Sequence, residues 1–546
     1  MQGKGRPHRA VAVLATALTV VLTQPAGAAP GDLDPSFAGD GRVALPGAGA
    51  FVPRAVTIDA ARRIVVAGYF CQPDGPDGDG TCLADGNASF RLARLTPDGG
   101  LDPEFGDNGF VTTPLGDGRS QALDAVIDAG GRIVAAGVAR MGNRDVFAIA
   151  RYLPDGSLDT DFGASGSTLI PAGAAYASLG DVALGPGGAL FGAGQAVDSE
   201  GRPRMAVTRL SSAGAVDRAF GVDGVALGGS GAFGYGLALT VGADGRPLVA
   251  GIAGDSADPA TFRFGELRLT EGGAPDPTFA GDGSAEQRAG STSSFANALA
   301  PLAGGGFFAA GAATAPDGRQ AMALERVDAA GTRTGAWLHP LLDGAVANDL
   351  VRDRSGRLLL VGQAARGSGY RFAVVRLLAD SGRDPGFGDD GWATVGWNAY
   401  PIARATAAAL QQPNRLVTVG LGCAGGTTSR CLGGTPVLLV ARQLAGAARP
   451  SIVVASRVTR ARLRAGLRVQ VRLAERARLE AWLIGRRRGN GKRVTLAHVK
   501  ATRARARFSW RLRPRRHTLA RTRAGRLRLA VRAGATRATR TITLRR

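Results

Sequence analysis

A carboxylate–guanidinium spacing is the first chemistry this chain offers. An Asp follows an Arg by eight residues in Arg94/Asp102, Arg151/Asp159, Arg209/Asp217, Arg268/Asp276 and Arg376/Asp384. Each Asp sits in a run such as Leu101-Asp102-Pro103-Glu104-Phe105-Gly106-Asp107-Asn108-Gly109. Carboxylate pairs can catalyse glycosidic chemistry, but a residue repeated in unit after unit is more readily explained by structure. A hairpin turning about Asp98 sets Leu95 opposite Leu101 and Arg94 opposite Asp102. Opposite charges placed across two strands stabilise the pair by a few tenths of a kcal/mol to about 1 kcal/mol.

Other reactive side chains are sparse. The four His are His8, His339, His498 and His517, and no nucleophile elbow, phosphate-binding loop or zinc-protease motif occurs. Asp74, Asp77 and Asp79 lie on a Gly-rich loop and form a weak calcium candidate, without the ordered spacing and terminal Glu of an EF-hand. A solvated turn is the simpler reading. Cys71 and Cys82 form one close pair and Cys423 and Cys431 another, each in an extended loop. In an exported protein these are expected to be two local disulfides, each contributing roughly 2–3 kcal/mol by chain entropy. Four-thiolate metal binding is the alternative, although the spacings lack a zinc knuckle. No catalytic activity, resident metal or cofactor is expected on these grounds.

The elements that must position these residues follow from the repeat. Each unit reads as an alternating run, a turn, a second run ending in Gly, a third run carrying the Arg, and the Asp-bearing signature. The glycine recurs at Gly68, Gly137, Gly194, Gly251, Gly311, Gly362 and Gly420, and the arginine at Arg94, Arg151, Arg209, Arg268, Arg326, Arg376 and Arg442. Seven such bodies of four strands predict an all-β, seven-bladed β-propeller, a radial array that leaves only short sheet edges. The array opens with a signature that has no body before it (Leu33–Gly41) and ends with a body that has no signature after it. The N-terminal segment should therefore complete the last blade, with Asp34 reaching Arg442. The fifth unit departs from the pattern, because Thr334 and Trp337 stand where Asp and Phe are expected, so a distorted blade is predicted there.

Charge divides the chain. Residues 449–546 hold 31 Arg and Lys against Glu475 and Glu480, whereas residues 1–448 hold 36 basic and 42 acidic side chains. Period-two alternation in stretches such as Leu527-Arg528-Leu529-Ala530-Val531-Arg532 predicts a small Arg-rich β-sandwich beyond the repeats. At the other end, Lys4, Arg6 and Arg9 precede an apolar run to Leu22, followed by Ala26-Gly27-Ala28. That pattern predicts a secretory signal peptide. The expected divisions are thus 1–28 leader, 29–445 propeller and 446–546 basic domain. No transmembrane span is expected in the mature chain.

The pattern D-G-x-L-D-x-x-F-G at Asp155–Gly163, and again at Asp98–Gly106, resembles that of the bacterial delta-60 repeat proteins, over about residues 31–445. The resemblance implies a secreted or envelope-associated propeller and assigns no catalytic activity. The basic C-terminal region loosely resembles the immunoglobulin-like accessory domains of exported bacterial proteins, without their cysteine and tryptophan landmarks. Together these readings predict a secreted or cell-surface, monomeric, non-catalytic binding or scaffold protein. Its basic tail either attaches to an anionic cell-wall polymer or another surface protein, or is merely a solvated face. Nucleic acid is the weakest candidate partner, because export removes the usual targets. The alternative is a secreted propeller hydrolase or lyase acting on polysaccharide, which a cluster of non-repeated carboxylates on one face would favour.

Overall fold

The repeat is built on a bulge that its glycine makes possible. In all seven units the innermost strand shifts register by one residue: at Pro53/Ala55, Ala122/Asp124, Leu179/Asp181, Gly236/Ala238, Ala296/Ala298, Ala347/Asp349 and Ala405/Ala407. The repeated glycine of the second strand lies directly opposite each bulge. A Cβ at Gly194, Gly251, Gly311 or Gly420 would stand 1.9 Å from a carbonyl oxygen of the inner strand. These glycines are therefore required by close backbone approach rather than by a left-handed conformation.

In the computed structural model the described residues are 29–46, 50–71, 88–229, 231–411, 414–424 and 435–445, together with eight strands between 451 and 545. The chain is all-β and built largely of four-stranded antiparallel sheets typical of propeller blades. In unit 1 the strands are Ala50–Ile58, Ile64–Cys71, Ala88–Leu95 and Phe110–Thr113, paired in sequence order. Units 2 to 5 repeat this order as separate sheets, with inner strands Ser120–Ile127, Ala177–Leu184, Phe233–Val241 and Ser294–Pro301. Units 6 and 7, with inner strands Ala345–Arg352 and Ile402–Gln411, are merged into one eight-stranded sheet by a single parallel bridge between Tyr370 and Ile402.

The outermost strand of unit 7 is Arg42–Leu45, which pairs antiparallel with Thr435–Leu444 in the register Arg42↔Ala441 to Leu45↔Leu438. The N-terminal segment thus completes the last sheet, and Leu33 bridges Gln443 beside it. Apolar clusters lie between successive units. One joins Leu92 of unit 1 to Ala150 of unit 2, and another joins Val440 of unit 7 to Ala93 of unit 1.

Unit 5 differs at its fourth strand, which runs seven residues, Arg333–His339, where the other units have four. Without the signature turn the chain simply continues along the sheet, and Trp337 pairs with Leu324.

Beyond residue 450 the strands form a three-stranded sheet (Ser451–Val453, Leu467–Arg472, Arg507–Leu512) and a five-stranded sheet. The latter contains Arg457–Thr459, Ala477–Arg486, Arg493–Arg503, Gly525–Ala533 and Thr536–Arg545. Among the described residues no helix is long and apolar enough to cross a membrane.

Candidate functional site

The repeated Arg and Asp come together at the joints between units. Asp102 accepts from Arg94 at 2.7 Å, Asp159 from Arg151 at 2.7 Å, Asp217 from Arg209 at 2.6 Å and Asp276 from Arg268 at 2.8 Å, while Asp384 forms an ion pair with Arg376 at 2.9 Å. Asp34 forms an ion pair with Arg442 at 3.0 Å, across the closure of the array, and accepts a hydrogen bond from Arg415. Each guanidinium then donates onward to a turn carbonyl of the next unit: Pro154, Ser212, Glu271, Ala329, Ala445 and Pro97. Each also lies over the signature aromatic ring, for example Arg94 at 4.5 Å from Phe105 and Arg442 at 4.7 Å from Phe37. Such a desolvated stack adds about 0.5–2 kcal/mol. Phe37, Phe105, Phe162 and Phe220 are fully buried.

A second arginine, from the turn between first and second strands, approaches several of the same carboxylates: Arg63 at Asp102, Arg132 at Asp159, Arg246 at Asp276 and Arg357 at Asp384. The sequence reading missed this cation, although an Arg recurs after most of those turns. Burial alone would raise the Asp276 carboxyl. The Thr278 hydroxyl and amide, with Arg268 and Arg246, outweigh it and bring the group down to about 2. These carboxylates are fully engaged and hold the units together.

The bulges place a different set of residues. Immediately after each bulge, thirteen residues before the repeated glycine, stand Ala55, Asp124, Asp181, Ala238, Ala298, Asp349 and Ala407. Three of the seven are carboxylates. They line a cavity of about 470 Å³ between the inner strands, together with Asn297, Asn348, Gln363, Tyr235, Arg54 and Arg404. Bulges commonly re-aim side chains next to functional sites, and here they add carboxylates to a wall that also carries several Ala, Val and Leu side chains.

Each channel carboxylate is anchored by one oxygen to the next inner strand. Asp124 accepts from the Val182 amide at 3.0 Å, Asp181 from the Leu239 amide at 2.6 Å and Asp349 from the Ala408 amide at 2.7 Å. Asn297 and Asn348 donate to the Ala347 and Ala405 carbonyls at 2.8 and 2.6 Å. Burial pushes the Asp181 carboxyl well above its ordinary value, and the neighbouring Asp124 adds to this by charge and by hydrogen bonding. Burial likewise raises Asp349 to about 6 against the pull of two backbone amides, with Asp124 contributing further. All three are half-buried: enclosed by protein, yet bordering the cavity. Enclosure thus makes Asp181 and Asp349 hold their protons more tightly than an exposed Asp does, the kind of tuning general acid–base chemistry uses.

Among the described residues no cluster of His, Cys, Asp and Glu could hold a metal ion. Asp74, Asp77 and Asp79 lie outside the described residues, as do Cys82, Cys431 and residues 1–28. Cys71 ends the second strand of unit 1. Cys423, buried in unit 7, is not a free thiol.

The family profile described as a domain of unknown function (DUF5122) β-propeller matches residues 72–105, 131–162 and 354–387. The chain thus carries the sequence repeats of a β-propeller family. No curated protein matches it significantly. Solved structures similar to it include the polysaccharide lyase Uly1, with 8% identity over 74% of this chain and 99% of that one at a TM-score of 0.41. Sqt1 from Chaetomium thermophilum matches with 12% identity over 73% and 97% at 0.35. The GH43_1 enzyme from Xanthomonas citri complexed with xylose matches with 11% identity over 58% and 92% at 0.28.

The expectation that the protein is not an enzyme is corrected here. Asp124, Asp181 and Asp349 line the cavity and stand outside the repeated Arg–Asp set. That expectation rests on missing histidines and motifs and on a structural role for the repeated carboxylates. The position after the bulge is Asp in three units and Ala in the other four, so a structural role repeated in every unit does not explain these acids.

Proposed function

We propose that the protein is an exported, seven-bladed β-propeller that takes a polyhydroxylated ligand, a polysaccharide or its fragments, in its central channel. One observation carries this reading: non-repeated carboxyls at the bulges, set among side-chain amides and a tyrosine around an open cavity. Carboxylates accept from pairs of sugar hydroxyls, while Asn and Gln amides both donate and accept. Its envelope context rests on the leader-like residues 1–28 and on the basic region 446–546, read as a β-sandwich attached to anionic envelope polymers.

A second reading, a hydrolase or lyase acting on polysaccharide, is favoured by the raised Asp349 and by the Asp124–Asp181 pair. One carboxyl would protonate the leaving oxygen while an ionised neighbour activates water or abstracts a proton.

Affinity electrophoresis and reducing-end release against neutral and acidic polysaccharides, with Asp181→Asn and Asp349→Asn alongside the native chain, test both readings. Retarded migration lost in the variants supports the channel. Chain cleavage lost with it supports the second reading. Retardation unchanged in both variants, or absent throughout, would overturn the assignment of the site.

A further inference from the structure

The third strands place equivalent residues face to face at every joint. The residue two before the repeated Arg in one unit meets the residue one before it in the next. Five of these pairs share one apolar cluster each: Leu92 with Ala150, Val207 with Leu267, Leu324 with Val375, Val374 with Ala441 and Val440 with Ala93, and the sixth is Ile149 with Thr208 by position. Between units 4 and 5 the same two positions are Glu266 and Glu325.

These glutamates are 1% and 0% exposed. Glu266 pairs with Ala250 and Ala285, and Glu325 with Ala309, all members of the apolar cluster that fills the joint. The two carboxyls lie within hydrogen-bonding reach of each other, and no other described group hydrogen-bonds any of their four oxygens. The charged groups around them are few. Arg333, on the fourth strand of unit 5, is the cation that faces both. Glu286, on the fourth strand of unit 4, adds negative charge and is itself bound to Arg263 at 2.8 Å, which also holds Asp255. Arg268, on the strand of Glu266, is taken by Asp276.

The opposite face of unit 5 is weakened independently. Arg326 is exposed and has no carboxylate partner among the described residues: its guanidinium lies 5.9 Å from the Phe308 ring, and Thr334, at the position of the signature Asp, donates only to the Arg326 backbone carbonyl. The Arg–Asp–carbonyl link that ties each other unit to its successor is not formed between units 5 and 6 among the described residues. Unit 5 supplies Asn297, Ala298 and Leu299 to the channel wall.

We propose that the joint between units 4 and 5 is a pH-sensitive seam, closed while Glu266 and Glu325 share a proton and loosened toward alkaline pH, so that the channel wall contributed by unit 5 is freed. Two carboxylates cannot both ionise in an apolar joint without strong repulsion. Burial, first, and the neighbouring charge hold Glu266 well above the ordinary Glu value of 4.5, and burial raises Glu325. The closed joint therefore binds more protons than the opened one, and its stability falls as pH rises above the ordinary Glu range. The seam does not depend on what the channel binds.

Hydrogen exchange on the full chain from about pH 5 to about pH 8, corrected for intrinsic base catalysis, tests this. Opening of Phe264–Leu267 and Met322–Arg326 should rise by up to about tenfold per pH unit, the limit for one linked proton. The matching strand of unit 3, Met205–Thr208, should stay flat. Glu266→Val with Glu325→Leu, which copies Val207 and Leu267 at the preceding joint, should abolish the dependence. Should that variant fail to fold, Glu266→Gln, which can still donate to Glu325, should keep the joint protected at alkaline pH. Parallel behaviour of units 3 and 5 across the range, or the same dependence persisting in either folded variant, would overturn the seam.

Discussion

Two sets of carboxylates divide the propeller between them. At the joints, Asp34, Asp102, Asp159, Asp276 and Asp384 are buried, paired with one or two arginines and repeated from unit to unit. In the channel, Asp124, Asp181 and Asp349 form no ion pair with an arginine among the described residues, border a cavity and occupy one bulge position in only three of seven units. Environment follows the same division: hydrogen bonds from Thr278, with Arg268 and Arg246, hold Asp276 down, while enclosure pushes Asp181 and Asp349 up. Repetition marks the groups that hold the array together, and irregularity at a repeated position marks the groups left over for a ligand.

The largest expected effect breaks the structural set. Asp34→Ala leaves Arg442, 4% exposed, without its carboxylate at the closure of the array. An uncompensated buried cation costs about 3–5 kcal/mol, measurable as a lower midpoint in urea. A midpoint within error of the native chain would show that the closure does not rely on this pair. Next comes the bulge itself. Gly311→Ala puts a methyl 1.9 Å from the Phe295 carbonyl oxygen, and the resulting overpacking should destabilise by about 1–3 kcal/mol or more. An unchanged denaturation midpoint would separate the glycine from the bulge.

The channel was much harder to read from sequence than the frame. The frame was legible because its residues recur: the Arg–Asp spacing, the glycine and the four-run unit all appear several times over. Asp124 was visible only as one polar position in an alternating strand. Aligned thirteen residues before the repeated glycine, it falls in register with Asp181 and Asp349, and that register was the available signal. Glu266 and Glu325 were obscured for a related reason. They occupy two different repeat positions, and only the packing of one unit against the next brings them together.

The two sets should also respond to pH with opposite sign. Asp276 has a folded value near 2 against 3.8 for an unperturbed Asp. It contributes stability above the unperturbed value and loses it as pH falls toward 2. Asp349, raised from 3.8 to about 6, binds its proton more tightly in the folded state. Its contribution is complete at low pH and is lost as pH rises through that window. Thermal midpoints of native chain and Asp349→Asn, compared from about pH 4 to about pH 7, should therefore show the native protein losing ground to the variant as pH rises. Parallel curves would contradict the enclosed state assigned to Asp349. The smallest change would repair unit 5: Thr334→Asp gives Arg326 the carboxylate it lacks. Because that arginine is exposed, the gain should not exceed about 1 kcal/mol in chemical denaturation, and a loss of stability would show that the straight fourth strand excludes the signature turn.

Retardation by a soluble polysaccharide panel in affinity electrophoresis, run side by side on native chain, Asp102→Asn and Asp349→Asn, tests the division most directly. Asp102→Asn, which weakens the pair with Arg94 at the joint of units 1 and 2, should migrate as the native protein does at temperatures where it remains folded. Asp349→Asn should lose retardation while remaining folded. Equal loss in both variants, or loss confined to Asp102→Asn, would contradict the assignment of structure to the repeated carboxylates and ligand to the irregular ones.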